Sequence, residues 1–312
     1  MSGSVLAFTK VEGLGNDFVV VDLRRAPAPP APEAPSPEDP EVVRRICDRH
    51  FGVGADGVLA ILPPVLPAIS PTERGDARMR VLNADGSEAE MCGNGIRCVA
   101  KVLYETDPAL RRSPLRIETG AGVLECAIDA IDGEVRSVAV QMGRPRLTRS
   151  EIPLAPGGTE RVVRTAIAAS GRPFQFTGVS MGNPHAVIFV DDPGANLREF
   201  AETFGPTLEH APTFPHRTNV EFARIRDGQI DLVVWERGCG ITLACGTGAC
   251  ATVVAACLEE RSIPGREVAV NLPGGTLHIT VAPDYAGVRM RGPARSVFRS
   301  ELDLSTLASG IR

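Results

Sequence analysis

The chain has 312 residues, with 33 Lys and Arg against 38 Asp and Glu, for a net charge of −5. With 43% apolar and 23% charged residues it can bury a sizeable core, which excludes wholesale disorder. A mildly acidic chain without a basic cluster is not built for nucleic acid, and no apolar run approaches the roughly 18 residues of a membrane span. The first residues, MSGSVLAFTKVEG, lack a basic region followed by a long apolar stretch. No signal peptide is therefore expected, and the protein is expected in the cytoplasm.

In chain order, β-branched and apolar runs predict strands at Phe18–Asp22, Arg78–Leu82, Leu115–Glu118, Val135–Val140, Ala186–Val190, Ile230–Trp235 and Val268–Leu272. Pro27–Pro40 carries seven prolines in fourteen residues and reads as a polyproline-like surface excursion, unable to form helix or inner strand. The apolar run Val58–Ile69 is broken by Pro63, Pro64 and Pro67, and Leu62–Arg78 reads as a second loop. Two stretches following glycines, Gly95–Glu105 and Gly248–Glu260, predict helices. Each is apolar nearly all round, the pattern of a helix enclosed by its surroundings. Strands around one buried helix, twice over, predict an α+β fold.

Internal similarity supports a duplication. Cys92-Gly93-Asn94-Gly95 recurs as Cys245-Gly246-Thr247-Gly248, 153 residues later, and at the same offset Gly122 meets Gly275 and Leu124 meets Leu277. Gly15-Asn16-Asp17-Phe18 similarly resembles Gly182-Asn183-Pro184-His185. Two related domains are expected, with their C-G-x-G turns facing each other across a cleft that holds the active site.

The eight cysteines contain no C-x-x-C pair, and the spacings Cys92–Cys98 and Cys245–Cys250 fit no common zinc pattern, so no metal is expected. Cys98, Cys126, Cys250 and Cys257 sit inside apolar patterns and read as small buried hydrophobes. Cys92 and Cys245 differ, because each stands where a loop becomes a helix. The positive end of a helix lowers a thiol pKa and receives anions. Both thiols are therefore expected to reach the thiolate near neutral pH. Two such turns gripping one carboxylate place one sulfur on each face of the neighbouring carbon. That arrangement suits two-base racemisation: a thiolate takes the α-proton, a thiol returns one, and fixed dipoles stabilise the developing charge. No pyridoxal phosphate or other cofactor is needed. Asn16, Asn83, Asn183, Asn219 and the pair Glu236-Arg237 lie just ahead of the thiol turns, where a zwitterionic amino acid needs a carboxylate, an arginine and amides. His185, in Asn183-Pro184-His185, is placed to tune a thiol.

The stretches Gly13-Leu14-Gly15-Asn16-Asp17-Phe18, Gly52-Val53-Gly54-Ala55-Asp56-Gly57, Asn83-Ala84-Asp85-Gly86-Ser87-Glu88, Met91-Cys92-Gly93-Asn94-Gly95-Ile96-Arg97-Cys98, Met181-Gly182-Asn183-Pro184-His185, Trp235-Glu236-Arg237-Gly238 and Ala244-Cys245-Gly246-Thr247-Gly248-Ala249 together resemble the diaminopimelate epimerase family. The resemblance runs through nearly the whole chain. It implies a cofactor-independent isomerase that interconverts LL- and meso-2,6-diaminopimelate in lysine and peptidoglycan-precursor synthesis. It places the catalytic cysteines at Cys92 and Cys245, with His185 and Glu236 as further catalytic positions. Substrate-binding positions fall on Asn16, Asn83, Gly93, Asn94, Asn183, Asn219, Glu236, Arg237, Gly246 and Thr247. It implies two pseudo-symmetric α+β domains, each a curved mixed sheet around a central helix. The expected boundaries are 1–141 and 142–290, with residues 291–312 returning to the first domain, in a homodimer. The partner is a small molecule. Two alternatives remain: another cofactor-independent amino-acid racemase of the same fold, and a non-catalytic binding protein or relative of phenazine-synthesis isomerases.

Overall fold

The computed structural model describes residues 5–24, 35–65 and 74–308. Most of the proline-rich segment, residues 25–34, and part of the second loop, residues 66–73, lie outside these. Two compact units are present: Met1–Val140 with Gly292–Arg312, and Gln141–Arg291.

The first unit runs β1 (Val5–Gly13), β2 (Asn16–Asp22), α1 (Pro40–Cys47), β3 (Gly57–Leu62), β4 (Ala77–Asn83), β5 (Glu88–Ala89), α2 (Gly93–Thr106), β6 (Leu115–Thr119), β7 (Gly122–Ile131) and β8 (Glu134–Gln141). The second runs β9 (Thr165–Ala169), β10 (Arg172–Ser180), β11 (Pro184–Phe189), α3 (Leu197–Glu209), β12 (Asn219–Arg226), β13 (Gln229–Glu236), β14 (Gly240–Ile241), α4 (Gly246–Leu258), β15 (Glu267–Leu272), β16 (Gly275–Val281) and β17 (Val288–Gly292). The chain then adds β18 (Arg295–Asp303) and α5 (Leu304–Ala308) to the first unit.

The pairing order repeats. β1–β2 and β10–β11 are antiparallel, β2–β3 and β11–β12 parallel, β3–β4 and β12–β13 antiparallel, and β4–β6 and β13–β15 parallel. Register repeats as well: Ala77 pairs with Ile117 and Ile230 with Val270, the second pair lying 153 residues beyond the first. Both glycines that open the following strands take positive φ, +112° at Gly122 and +139° at Gly275. The units differ at one side: β1 pairs with β18, whereas β10 pairs with β9.

Each unit encloses one helix. α2 packs against β1, β2, β3, β4, β6, β7 and β18, and α4 against β10, β11, β12 and β16. In α2 every residue from Gly93 to Leu103 is buried, including Arg97 and Lys101. Burying a charge is tolerable only when it is paired or hydrogen-bonded. Arg97 donates to the carbonyls of Gly93 and Pro293 and to Asn94 Oδ1, and Lys101 to Glu105 and to the carbonyl of Val135. Both helices begin directly after their cysteine, two residues before the predicted starts.

α1 corrects the reading of the proline-rich segment, whose last residue opens a helix. Pro40 occupies the first turn, where its missing N–H costs nothing. Eight residues do not make a stable helix alone. α1 buries Val42, Val43 and Ile46, and full burial of such side chains contributes about 1.5–3 kcal/mol each. In the second unit, α3 closes over a core that includes Phe174, Phe176, Phe214 and Phe222. Among the described residues, no helix is long and apolar enough to cross a membrane.

Candidate active site

Cys92 and Cys245 are the N-caps of α2 and α4. Both have extended backbones, with φ −137° and ψ 115° at Cys92 and φ −116° and ψ 108° at Cys245. Each sulfur accepts the N–H of the glycine three residues on, at 3.3 Å. These glycines allow close packing of the helix start. A Cβ at Gly95 would stand 3.1 Å from Leu59 Cδ2, and one at Gly248 would stand 3.0 Å from Glu221 Oε1. At such distances the neighbour must give way.

Around Cys92, β2 supplies Asn16 and α2 supplies Asn94. Asn16 Oδ1 lies 4.0 Å from Cys92 Sγ and accepts from Asn94 Nδ2 at 3.3 Å, while Asn16 Nδ2 donates to Asp56 at 2.7 Å. Asp56 also receives Arg49, which bridges to Asp17. Asn94 Oδ1 in turn accepts from the buried Arg97. The amides are thus oriented by charged groups behind them. Asn83, at the end of β4, donates to Ser87 Oγ at 3.0 Å. Gly93 is the first residue of α2, as Gly246 is of α4.

Around Cys245 the arrangement is more acidic. Thr247 Oγ1 lies 3.6 Å from Cys245 Sγ and accepts from Asn183 Nδ2 at 3.4 Å. Asn183 Oδ1 lies 2.9 Å from Nε2 of His185, and Nδ1 of His185 lies 2.6 Å from Glu221 Oε1. Neither ring nitrogen bonds a sulfur, so His185 reaches Cys245 only through its neighbours. Glu236, at the end of β13, accepts from Thr242 Oγ1, and its carboxyl and the Cys245 thiol influence each other electrostatically.

The electrostatics correct one expectation. Cys245 is 6% exposed, and its thiol is pushed well above the ordinary range by burial and by the carboxyls of Glu236 and Glu221. The hydrogen bonds from Thr247 and Gly248 oppose this without reversing it. Burial also raises Glu236 and Glu221. The helix N-terminus therefore does not make Cys245 a thiolate. Its desolvated, acidic surroundings keep it a neutral thiol. Cys98 and Cys126 are fully buried, and burial pushes each thiol up to about 12.

Asn219, at the start of β12, donates to the carbonyl of Pro184 and accepts the backbone N–H of Arg237, both at 2.9 Å. This bond fixes the turn on which Glu236 and Arg237 stand. The Arg237 side chain is exposed and donates to the carbonyl of His216 at 3.2 Å. No carboxylate pairs with it among the described residues. Glu209, at the end of α3, receives Trp235 Nε1 at 2.8 Å and the N–H of Gly238 at 2.9 Å, holding the same turn from behind.

Sequence reasoning gave no role to Glu221, Glu209 and Thr242, nor to Asp56 and Arg97, although the last two lie within the family-like stretches. For Glu221 a signal was available: it is a charged residue in the apolar run Asn219-Val220-Glu221-Phe222-Ala223. A charge in a buried strand needs a partner. Glu209 gave no such signal, because its partners are fixed only by folding.

The fold resembles that of solved epimerases and isomerases. A hydroxyproline epimerase from Agrobacterium vitis superposes with a TM-score of 0.65 at 18% identity, over 96% of this chain and 92% of that one. A methylitaconate-delta-isomerase gives 0.60 at 14%, over 99% and 98%. The protein thus shares this fold of two repeated units, with a cysteine capping the central helix of each. The family model of diaminopimelate epimerase matches it twice, over residues 8–148 and 177–297. Diaminopimelate epimerase of Pelotomaculum thermopropionicum is 48% identical over 300 residues, 96% of this chain and 99% of that one. That of Synechococcus sp. is 47% identical over 298 residues, 95% and 97% of the two chains. The chain belongs to the diaminopimelate epimerase family and is an isomerase.

Proposed function

We propose that this protein interconverts LL- and meso-2,6-diaminopimelate by two-base proton transfer, with Cys92 and Cys245 as the proton carriers and no cofactor. The observation that carries the reading is the pair of equivalent cysteine N-caps within a chain of this family. In one direction a thiolate removes the α-proton and the other thiol donates its proton to the carbon. The first sulfur ends as thiol and the second as thiolate, so the reverse direction starts from that state. The neutral Cys245 suits the proton-donating role, which makes Cys92 the base in the complementary state.

The α-carbon is a weak acid, and most of the barrier is the charge that develops on the adjacent carboxylate. Helix N-termini offer unspent backbone N–H groups and a positive dipole end to such charge. Gly93 and Asn94, with Gly246 and Thr247, are the residues that would supply them. Asn16, Asn83, Asn183 and Asn219 would hold the rest of the polar framework. Glu236 would receive an ammonium group and would also act on Cys245. Arg237, exposed and without an acidic partner among the described residues, would bind the distal carboxylate through its planar fork. His185 would act on Cys245 through Asn183 and Thr247. The setting is a cytoplasmic homodimer acting on a small molecule.

The test is to incubate purified protein with LL-diaminopimelate, adding no cofactor, and to separate the stereoisomers chromatographically. Appearance of the meso isomer supports the reading. Unchanged substrate, or dependence on pyridoxal phosphate, contradicts it. Light scattering across a dilution series tests the dimer.

A further inference from the structure

Glu221 carries the least explained charge in the second unit. Its side chain is wholly buried. One carboxyl oxygen meets His185 Nδ1 at 2.6 Å, and the other, Oε2, has no hydrogen-bond partner. An orphaned buried polar atom costs about 1–3 kcal/mol, more when charged, so it calls for an explanation beyond stability. Glu209, also buried, is spent differently: its oxygens accept from Trp235, Gly238 and Arg217 and so tie down a turn. Glu221 ties down nothing except an imidazole.

We propose that Glu221 is a positioning residue for proton transfer at Cys245, acting through His185. The hydrogen bonds form one chain, in which Glu221 holds His185, His185 holds Asn183, Asn183 donates to Thr247, and Thr247 meets the Cys245 sulfur. The proton count along it follows from the orientation of the Asn183 amide. Asn183 donates through Nδ2 to Thr247, so its Oδ1 faces His185 and requires a proton on Nε2. The short contact at Nδ1 then requires one proton between imidazole and carboxyl. Carried on the carboxyl it leaves two neutral groups, and carried on the ring it makes an ion pair. In both cases the pair is neutral overall, and His185 cannot adopt the tautomer that would disconnect Asn183. An orienting carboxylate behind an imidazole is a general way to fix which nitrogen carries the proton. Glu221 also stands beside the helix start that carries the thiol: a Cβ at Gly248 would lie 3.0 Å from its Oε1, and the Gly248 N–H bonds the Cys245 sulfur.

The ionisable groups facing this pair are Glu236 from β13 and Cys245 from the start of α4. Burial and the carboxyls of Glu236 and Glu221 raise Cys245. This inference rests on Cys245 being a proton carrier.

The experiment measures kcat, KM and the pH profile of kcat/KM for diaminopimelate with wild type, Glu221→Gln, His185→Gln and the double variant. Glu221→Gln is expected to lower kcat by at least about tenfold, a modest general acid–base effect, with KM little changed. The Cys245 limb of its profile should shift, because His185 is no longer held in one protonation state. In the His185→Gln background the same substitution should cost less than about twofold, because residues acting as a unit are not additive. A normal kcat and profile for Glu221→Gln would overturn the proposal, as would an undiminished loss in the His185→Gln background. Nitrogen NMR of histidine-labelled wild type supplies a readout that needs no variant. Nε2 of His185 should remain protonated throughout the active range, and an unprotonated Nε2 there would also overturn the proposal. Cys245→Ala separates the two levels: if that variant is active, the two-base reading itself falls, and if it is inactive beside a normal Glu221→Gln, only the role of Glu221 falls.

Discussion

Cys92 and Cys245 make the same hydrogen bond 153 residues apart, each sulfur accepting the N–H of the glycine three positions on at 3.3 Å. A cap normally needs a hydroxyl or carboxylate oxygen. A sulfur in that place twice over keeps a thiol at the end of a helix dipole. Replacing either cysteine by serine retains a capping group but supplies a much weaker acid. Cys92→Ser and Cys245→Ser are therefore expected to fold normally and to lose at least about 10²-fold in kcat/KM, the lower range for an essential proton carrier. Retention of more than about a tenth of wild-type activity by either would remove that cysteine from the reaction.

The two thiols are not expected to react alike in the free protein. A raised pKa means that the Cys245 thiolate forms only above the ordinary thiol range. Alkylation of Cys245 by iodoacetamide should be slow at pH 7 and still rising well above pH 8.5, the ordinary thiol pKa being about 8.5. Glu236→Gln removes one carboxyl that raises it and should speed alkylation at fixed pH. Peptide mapping by mass spectrometry reads both. Rapid labelling of Cys245 near neutral pH would contradict the electrostatic account.

Substrate selection should depend on Arg237. Lysine matches diaminopimelate except for the distal carboxylate, and a site built for a polar group typically rejects its absence by about 10⁴-fold. Wild-type kcat/KM for L-lysine should be lower than for LL-diaminopimelate by that order. Arg237→Lys should weaken diaminopimelate turnover, since a point charge does not reproduce a two-bond fork. Comparable wild-type values for the two substrates would point to a general racemase.

Packing behind the Glu236-Arg237 turn gives a stability prediction. Gly205 lies within α3, where alanine gains roughly 1 kcal/mol in helix propensity. A Cβ there would stand 2.5 Å from Trp235 Cγ, whose ring is held by Glu209. Overpacking of this kind costs about 1–3 kcal/mol and outweighs the gain. Gly205→Ala should be less stable in urea denaturation, whereas a more stable variant would show that Trp235 moves freely.

The two thiol helices were legible because enclosure makes a helix apolar all round, and because the C-G-x-G turn occurs twice. α3 was not: Pro206 interrupts its pattern, and tertiary packing, including that of Phe200 and Phe204 on Phe174 and Phe222, holds it. β18 is exposed along most of its length, so it lacks the alternation that marks a half-buried strand. At the site, polar residues beside glycines were legible as a group. The acidic character around Cys245 was not, because Glu221 and Glu236 approach the sulfur from separate strands. Helix-end reasoning alone gave the wrong sign for that thiol. The dipole effect is about 1 kcal/mol, while burying a thiolate beside two carboxyls costs more.

The most direct test of two-base transfer is solvent-deuterium exchange at the α-carbon. LL-diaminopimelate in D₂O, with no added cofactor, should yield meso product carrying deuterium at the inverted centre, while early remaining substrate stays largely unlabelled. A base that removes the proton on one face and a separate acid that delivers solvent-derived deuterium on the other give this pattern. Meso product that retains the original hydrogen, or substrate labelled as fast as product forms, would mean that a single group handles both protons and would contradict the assignment of Cys92 and Cys245.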